Sequence, residues 1–497
     1  MKRQLLAGRL GADDCFDVTP GTDEQTTYLQ LVTGEKSLDH GIGSALTSLK
    51  KIGVFPSEIG IDLLVLAAHV HAADTRISRT EQSQDSWTRE IRLVVPVSDP
   101  ARWDAAALTL RRSLDFLTGD RWTIGFRERP ARFATIAQGV PPSLIAPPFD
   151  SVSLFSGGLD SLIGAIDLLE DGTTPLLVSH FGEGATSDAQ GKLFAGLKKH
   201  YIKSSFERLR VGMTFVDGLV EGVGSENSTR GRSFLFFALG VFAGTGLGRR
   251  FVLRVPENGL IALNVPLDPL RLGSNSTRTT HPYYMARWND LLVALGIDGE
   301  IRNPYWDKTK GEMAAACRNP DLLKKLATDS LSCSSPAKAR WLGHGIEQCG
   351  YCLPCLIRRA ALAAAWGTGN DPTTYTVPDL HAHPLDTRQA TGVQVRSFQY
   401  AIERLKGNPL LANLLIHKPG SLADEAAHLD QLADVYRRGA MIRARDGAYW
   451  YMSAGNVRMR DGAQFCAGFG GRIWFSGGSF GSKYSDQYQG CRIYNKK

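Results

Sequence analysis

A short apolar stretch, Ser151 to Phe155, runs directly into Ser156-Gly157-Gly158-Leu159-Asp160-Ser161 and then into the helical pattern of Leu162 to Leu169. Strand, glycine-rich turn and helix in that order constrain the chain to an α/β arrangement with an anion site at the turn. Gly157 and Gly158 open backbone conformations closed to other residues and let the main chain approach an anion with no Cβ in the way. Ser156 and Ser161 add hydroxyl donors, and the helix directs its unpaired first-turn amides and positive dipole end to the same point. An aspartate beside bound phosphate is repelled unless a cation intervenes, so Asp160 reads as a Mg²⁺ partner. No Gly-Lys-Ser/Thr follows at the spacing of a Walker A loop.

A chain of 497 residues can bury ample core and is expected to divide into about two to four domains. A net charge of +7, from 57 Lys and Arg against 50 Asp and Glu, is small for this length, and no five like charges run together. Direct nucleic-acid binding is therefore not indicated. The first eight residues lack the apolar stretch a signal peptide needs. The most apolar segment, Ile59 to Ala73, is interrupted by Asp62, His69 and His71, so no transmembrane helix is expected. These features predict a cytoplasmic protein with no membrane contact.

The first 145 residues read as a small α+β domain of unassigned role, with helices over Ile61–Ala73 and Ala101–Leu117 and strands over Ile91–Pro96 and Trp122–Phe126. A Pro-rich linker over 140–148 follows. From 150 to 365 strands and helices alternate: further strands at Pro175–Ser179, Val211–Val216 and Phe251–Val255, helices at Lys192–His200 and Ser233–Ala243. Such alternation predicts a parallel sheet covered on both faces, with ligands beyond the carboxyl ends of its strands. A mostly helical extension over 366–452 has helical stretches at Val395–Leu405 and Ala423–Arg438. Residues 453–497 form a tail rich in Gly, Ser and aromatics, for which a partner-ordered segment and a small β-rich appendage fit equally.

Of eight cysteines, Cys333, Cys349, Cys352 and Cys355 are grouped, three of them two residues apart. The grouping indicates a metal site instead of a disulfide framework. Four thiolates without histidine favour a closed tetrahedral Zn²⁺ site, with an iron-sulfur cluster as the competitor.

The Ser156–Ser161 loop resembles the SGGxDS loop of the PP-loop ATP pyrophosphatases. With Cys333, Cys349, Cys352, Cys355 and Arg358 downstream, residues 150 to 365 resemble the QueC family of 7-cyano-7-deazaguanine synthases. Two weaker matches lie between: Arg230-Gly231-Arg232-Ser233, and Asn303 to Glu312. The resemblance implies a PP-loop (HUP-like, adenine nucleotide alpha hydrolase-like) core with a four-Cys zinc subdomain, and ATP, Mg²⁺ and Zn²⁺ as cofactors. ATP would lie on Ser156, Gly157, Gly158, Leu159, Asp160 and Ser161. The family adenylates a deazaguanine carboxylate, releasing pyrophosphate, and then loses AMP to an amine.

The chain departs from that family in its first 145 residues, in everything past about 365, and in having His180-Phe181-Gly182-Glu183 and Arg232-Ser233 where the family has Tyr-Gly-Gln and Arg-Asn. In its extended form it is similar to the QueC-like (QatC-type) proteins of bacterial antiviral operons, which implies transfer to an amine of a partner protein encoded in the same operon. A free-nitrile synthase, a tRNA-modifying enzyme and a non-catalytic nucleotide-binding defence subunit are the alternatives. Asp160, Ser161, Arg232 and Lys310 are the expected catalytic residues. His180, Arg232, Glu257 and Asn258 are the expected substrate contacts, the last two because they follow a strand and face the ligand crevice, where a carboxylate would accept from a guanine-like base. The hydroxyl-rich Ser274 to Pro282 reads as a lid or a plain solvated loop. The aromatics Tyr449-Trp450-Tyr451 and Trp474 read as packing or interface residues.

Overall fold

The computed structural model describes residues 3–34, 37–83, 85–139, 147–182, 184–228, 230–267, 278–343 and 345–441, with the backbone of 459–460, 466–468 and 472–474. The linker residues 140–146, the segment 274–277, and Tyr449, Trp450 and Tyr451 lie outside them.

Two wholly parallel sheets organise the chain. The first contains β1 (Arg3–Arg9), β2 (Glu24–Gln30), β3 (Glu90–Val97) and β4 (Arg121–Glu128) in the order β2-β1-β3-β4. Helices α1 (Ile42–Lys51), α2 (Glu58–Arg76), α3 (Arg79–Gln82) and α4 (Pro100–Thr118) belong to this part. The expected α+β character is thus corrected to α/β. β1 and β2 escaped notice because polar residues interrupt both, yet β1 buries five consecutive residues.

The second sheet contains β5 (Ser151–Leu154), β6 (Pro175–His180), β7 (Glu207–Val211), β8 (Phe251–Arg254) and β9 (Gly299–Arg302), ordered β7-β6-β5-β8-β9. This is the doubly wound order in which the chain reverses direction between the first and fourth strands, leaving a crevice at the carboxyl ends of β5 and β8. Around it lie α5 (Leu159–Glu170), α6 (Gly184–His200), α7 (Arg232–Thr245), α8 (Gly259–Leu263), α9 (Pro282–Ala294), α10 (Lys310–Ala315), α11 (Pro320–Ala327) and α12 (Leu353–Trp366). The third strand was expected at Val211–Val216 and lies at Glu207–Val211. As an edge strand, β7 tolerates Arg208 and Arg210, which masked its pattern. The apolar Met213 and Phe215 instead join the core shared with the N-terminal sheet.

That shared core explains why α2 is apolar all round. Every residue from Gly60 to Thr75 is buried, because the helix is sandwiched between β3 and α7. It runs antiparallel to α7: a Cβ at Gly60 would strike Thr245, while Asp74 meets Gly231 at the other end. Its polar residues are accommodated internally: Asp62 pairs with Arg129 and accepts from Ser98, and His69 Nδ1 lies 2.8 Å from the Val65 carbonyl. Among the described residues no helix is long and apolar enough to cross a membrane.

The extension contributes α13 (Ala390–Gly407), α14 (Leu411–Leu415) and α15 (Leu429–Ala440). The expected helix from Ala423 is split, since Ala423–His428 is a tighter turn that kinks before α15. α15 packs on α8, where a Cβ at Gly259 would collide with Val435 and the Trp306 carbonyl.

Candidate functional site

The turn after β5 has the conformation its residues demand. Gly157 has φ +85°, and a Cβ there would also crowd the Gln190 backbone at 3.2 Å. Gly158 lies at φ −86°, open to any residue, so only Gly157 is required by backbone geometry. The hydroxyls pre-shape the loop: Ser161 Oγ donates to the Gly158 carbonyl (2.9 Å) and lies 3.2 Å from Ser156 Oγ, while Gly158 N–H donates to Ser156 Oγ (3.3 Å). Ser156 is exposed, whereas the Leu159 side chain is fully buried, leaving only its main chain to face an anion.

Asp160, in the first turn of α5, is buried against three partners. Lys310 Nζ lies 3.0 Å from Oδ1, and the Asn258 side-chain amide donates to Oδ2 at 2.8 Å. The same amide reaches Glu257 Oε1 at 3.1 Å, and Asn258 Oδ1 accepts from Ile261 N–H to cap α8. Asn258 is therefore fully engaged inside the protein, and Glu257 stands beside Asp160. The two side chains expected over a substrate base are turned onto the phosphate loop's carboxylate instead. Asn303 holds Glu257 from behind, donating to its carbonyl at 2.8 Å.

Lys310 is no surface lysine; it is buried at the start of α10. A reciprocal cap fixes that start: Glu312 N–H donates to Thr309 Oγ1 and Thr309 N–H to Glu312 Oε2. Arg438 of α15 grips Glu312 from outside. Thr309 and Glu312 at that spacing were the available sequence signal for the position of Lys310.

Burial raises the Asp160 carboxyl, but the Lys310 charge and hydrogen bonds from Glu257, Asn258 and Lys310 outweigh it and hold it below its ordinary value. Burial, the Asp160 charge and the hydrogen bond with Asp160 push Glu257 well above the ordinary carboxyl range. The pair shares one proton beside one lysine. The Asp160 contribution to stability is present above its ordinary value of 3.8 and lost as pH falls through the lowered one. The Glu257 contribution is complete below 4.5 and lost as pH rises through the raised value. Glu257→Gln, which keeps the neutral form, should therefore match wild type in acid and become the more stable protein as pH rises. Thermal melts of both proteins between about pH 5 and 9 check this, and parallel curves would contradict the shared proton.

A second group lines a cleft beside β5 and β6, bounded by Ser156, His180, Thr186, Gln190, Arg232 and Phe236. His180, at the end of β6, is buried, and burial together with the Arg232 charge lowers it to about 4, so the ring is neutral. Its ring stands 5.7 Å from that of Phe236, and the Arg232 guanidinium lies 5.2 Å from the Phe236 ring. His71 of α2 meets His180 edge-on at 5.7 Å. The sequence pointed to neither His71 nor Gln190, because nothing in an apolar helix or a polar one marks a residue as bordering a distant cleft. Ser156 links the two groups.

The third group is the four cysteines. All four Sγ atoms lie within 4.8 Å of one another, with Cys333 to Cys352 at 3.8 Å and Cys349 to Cys355 at 3.9 Å. None forms a disulfide. Hydrogen bonds from Cys333, Cys349 and Cys355 hold the Cys352 thiol below the ordinary range. This group can hold a metal ion such as zinc.

It is wired to the rest of the site. Leu331 N–H, two residues before Cys333, donates to the Gly157 carbonyl at 2.8 Å. Arg358, one turn after Cys355, is fully buried and spends its guanidinium on Ser330 Oγ (2.8 Å), the Ala327 carbonyl (2.7 Å) and Thr373 Oγ1 (3.0 Å). α12 also packs on α10 so closely that a Cβ at Gly311 would lie 3.0 Å from that of Ala364. The cysteine knuckle thus braces both the Ser156–Ser161 loop and the lysine helix.

No protein-family model matches the chain, and no curated protein matches it.

Proposed function

We propose that the chain is an ATP-dependent carbon-nitrogen ligase with a PP-loop core of the QueC-like type. In this reading it adenylates a deazaguanine carboxylate such as 7-carboxy-7-deazaguanine, releases pyrophosphate, and gives up AMP when an amine of a partner protein in anti-phage defence takes the acyl group. The observation that carries the reading is the Ser156–Ser161 turn at the point where the strand order reverses, with the Asp160–Lys310 pair buried beside it.

A carboxylate is a poor acyl donor because its oxygen leaves reluctantly; attack on the α-phosphate of ATP replaces that oxygen with AMP. The protein aligns the two reactants and balances charge that gathers on the departing pyrophosphate. Amides of residues 157–161 and the Ser156 hydroxyl face the phosphates. Asp160 would hold a Mg²⁺ ion, which would neutralise phosphate charge, and Lys310 beside it would supply a second positive charge to the phosphates. Arg232, on the far side of Ser156, receives the substrate carboxylate, and neutral His180 with Gln190 offers hydrogen bonds to a flat heterocycle against Phe236.

In this reading the metal is zinc. Tetrahedral Zn–S bonds of about 2.3 Å set sulfurs roughly 3.8 Å apart, close to the 3.8 and 3.9 Å of two of the sulfur pairs, all four sulfurs lying within 4.8 Å of one another. A [4Fe–4S] cluster, also held by four thiolates, is the competing occupant.

The test is to supply the full chain with Mg-ATP and 7-carboxy-7-deazaguanine, with ammonium or with operon partner proteins, then identify the nucleotide and weigh every protein intact. AMP with added mass on a partner is the expected result. AMP with free nitrile and unmodified proteins would reassign the enzyme to biosynthesis. No AMP in any mixture would end the ligase reading.

A further inference from the structure

We propose that helix α2 of the N-terminal domain is the positioning element of the substrate cleft, with Asp74 setting the first turn of α7, and so Arg232, and His71 backing His180. The inference rests on reading that cleft as the carboxylate-substrate site.

Asp74 and His71 are one turn apart on α2 and therefore share a face, the one turned toward the second sheet. Asp74 Oδ2 accepts from the Gly231 amide at 2.7 Å, across the domain boundary. Gly231 immediately precedes α7 and its donor is one that a helix start leaves without an intrahelical partner. Asp74 Oδ1 meanwhile lies 3.3 Å from Arg89 Nη2 and 3.4 Å from Arg79 Nη2. Both arginines continue to Asp120, at 2.6 and 2.7 Å. Two arginines and two aspartates, all at 3% exposure or less, make a buried cluster, with Glu226 3.7 Å from Arg79 at its edge, that locks Asp74 in place as an acceptor.

Buried ion pairs contribute little net stability relative to apolar packing. What this one supplies is a fixed acceptor that sets the rotation and depth of the α7 start. Arg230 reinforces the setting from the other side, lying 3.6 Å over the Trp87 ring and donating to the Thr118 carbonyl at 3.2 Å. Residues 230 and 231 are thereby held by the N-terminal domain, and Arg232, next in the chain, lines the cleft with His180. Asp74 and His71 touch no reacting atom; they act through Arg232 and His180.

The test uses the full chain and two variants. Asp74→Asn weakens the acceptor and unbalances the cluster. Should it fail to fold, Gly231→Ala is the gentler probe: φ −77° suits alanine, and the new Cβ would press on the Asp74 carboxyl carbon at 3.1 Å. The expected result is about a tenfold rise in KM for 7-carboxy-7-deazaguanine, equivalent to roughly 1.4 kcal/mol, with KM for ATP unchanged. Amide hydrogen exchange should quicken over residues 231–234 while the rest of α7 stays protected. Equal effects on both KM values, or unaltered exchange at the α7 start, would overturn the proposal. If wild type releases no AMP, the enzymatic reading has failed, and the exchange measurement still decides whether Asp74 sets α7.

Discussion

Asp160→Asn is expected to abolish AMP release, by at least about 10²- to 10³-fold, the loss typical of removing one preorganised electrostatic group from a reacting centre. It should also destabilise the protein by up to about 3–5 kcal/mol, the cost of breaking a buried pair, reduced to the extent that Glu257, relieved of the Asp160 charge that raises it, ionises beside Lys310. The two effects separate in a second variant. Asp160→Asn combined with Lys310→Met removes both charges from a site where both side chains are under a tenth exposed. Replacing a whole buried pair by neutral groups is often close to neutral in stability. The double variant should thus recover most of the melting temperature and none of the activity. Recovery of AMP release together with stability would assign the pair a purely structural role and remove Asp160 from the Mg²⁺ site.

Metal removal is the second large effect. Cys349→Ser takes one ligand from the four-thiol group and should cost on the order of 4–5 kcal/mol, the range reached when a structural metal is lost. The damage should spread in a definite direction: Leu331 and the Gly157 carbonyl, Arg358 and Ser330, and Gly311 against α12 all descend from the knuckle. ATP affinity is therefore expected to fall with metal content, while the N-terminal sheet, which shares no core with the knuckle, keeps its amide protection. Elemental analysis should give one zinc per chain. Four irons with a visible chromophore would replace zinc by a cluster, and a metal-free protein with unchanged melting would show the four cysteines to be plain core.

The folded molecule explains which parts of this were legible beforehand. Local chemistry was: an apolar strand, a glycine turn at Gly157 and a helix are found where the residues predict them, and Cys349, Cys352 and Cys355 converge because two residues separate each from the next, with Cys333 joining them across a longer loop. The alternation of periods likewise predicted a parallel sheet, and one is found. Misplaced or missing elements were those whose residues serve a distant surface. β7 is charged because it is an edge, β1 and β2 mix polar with apolar residues, and Phe215 is apolar for the sake of the other domain.

Side-chain direction was the least legible quantity. Glu257 and Asn258 follow a strand and were expected to face a ligand, yet Asn258 caps a helix and anchors Asp160, while Glu257 shares a proton with it. Lys310 could equally have been a solvated lysine until α12 and α15 closed around its helix. The sequence by itself determined the strand–glycine turn–helix at 151–170, the cysteine group and the parallel α/β architecture, since each depends mainly on nearby residues or on a repeating period. Only tertiary structure decided that Asp160, Glu257, Asn258 and Lys310 form one cluster, and that α2 holds the residue before Arg232, because those contacts join segments 50 to 160 residues apart, and no local preference encodes which partner a buried charge will find.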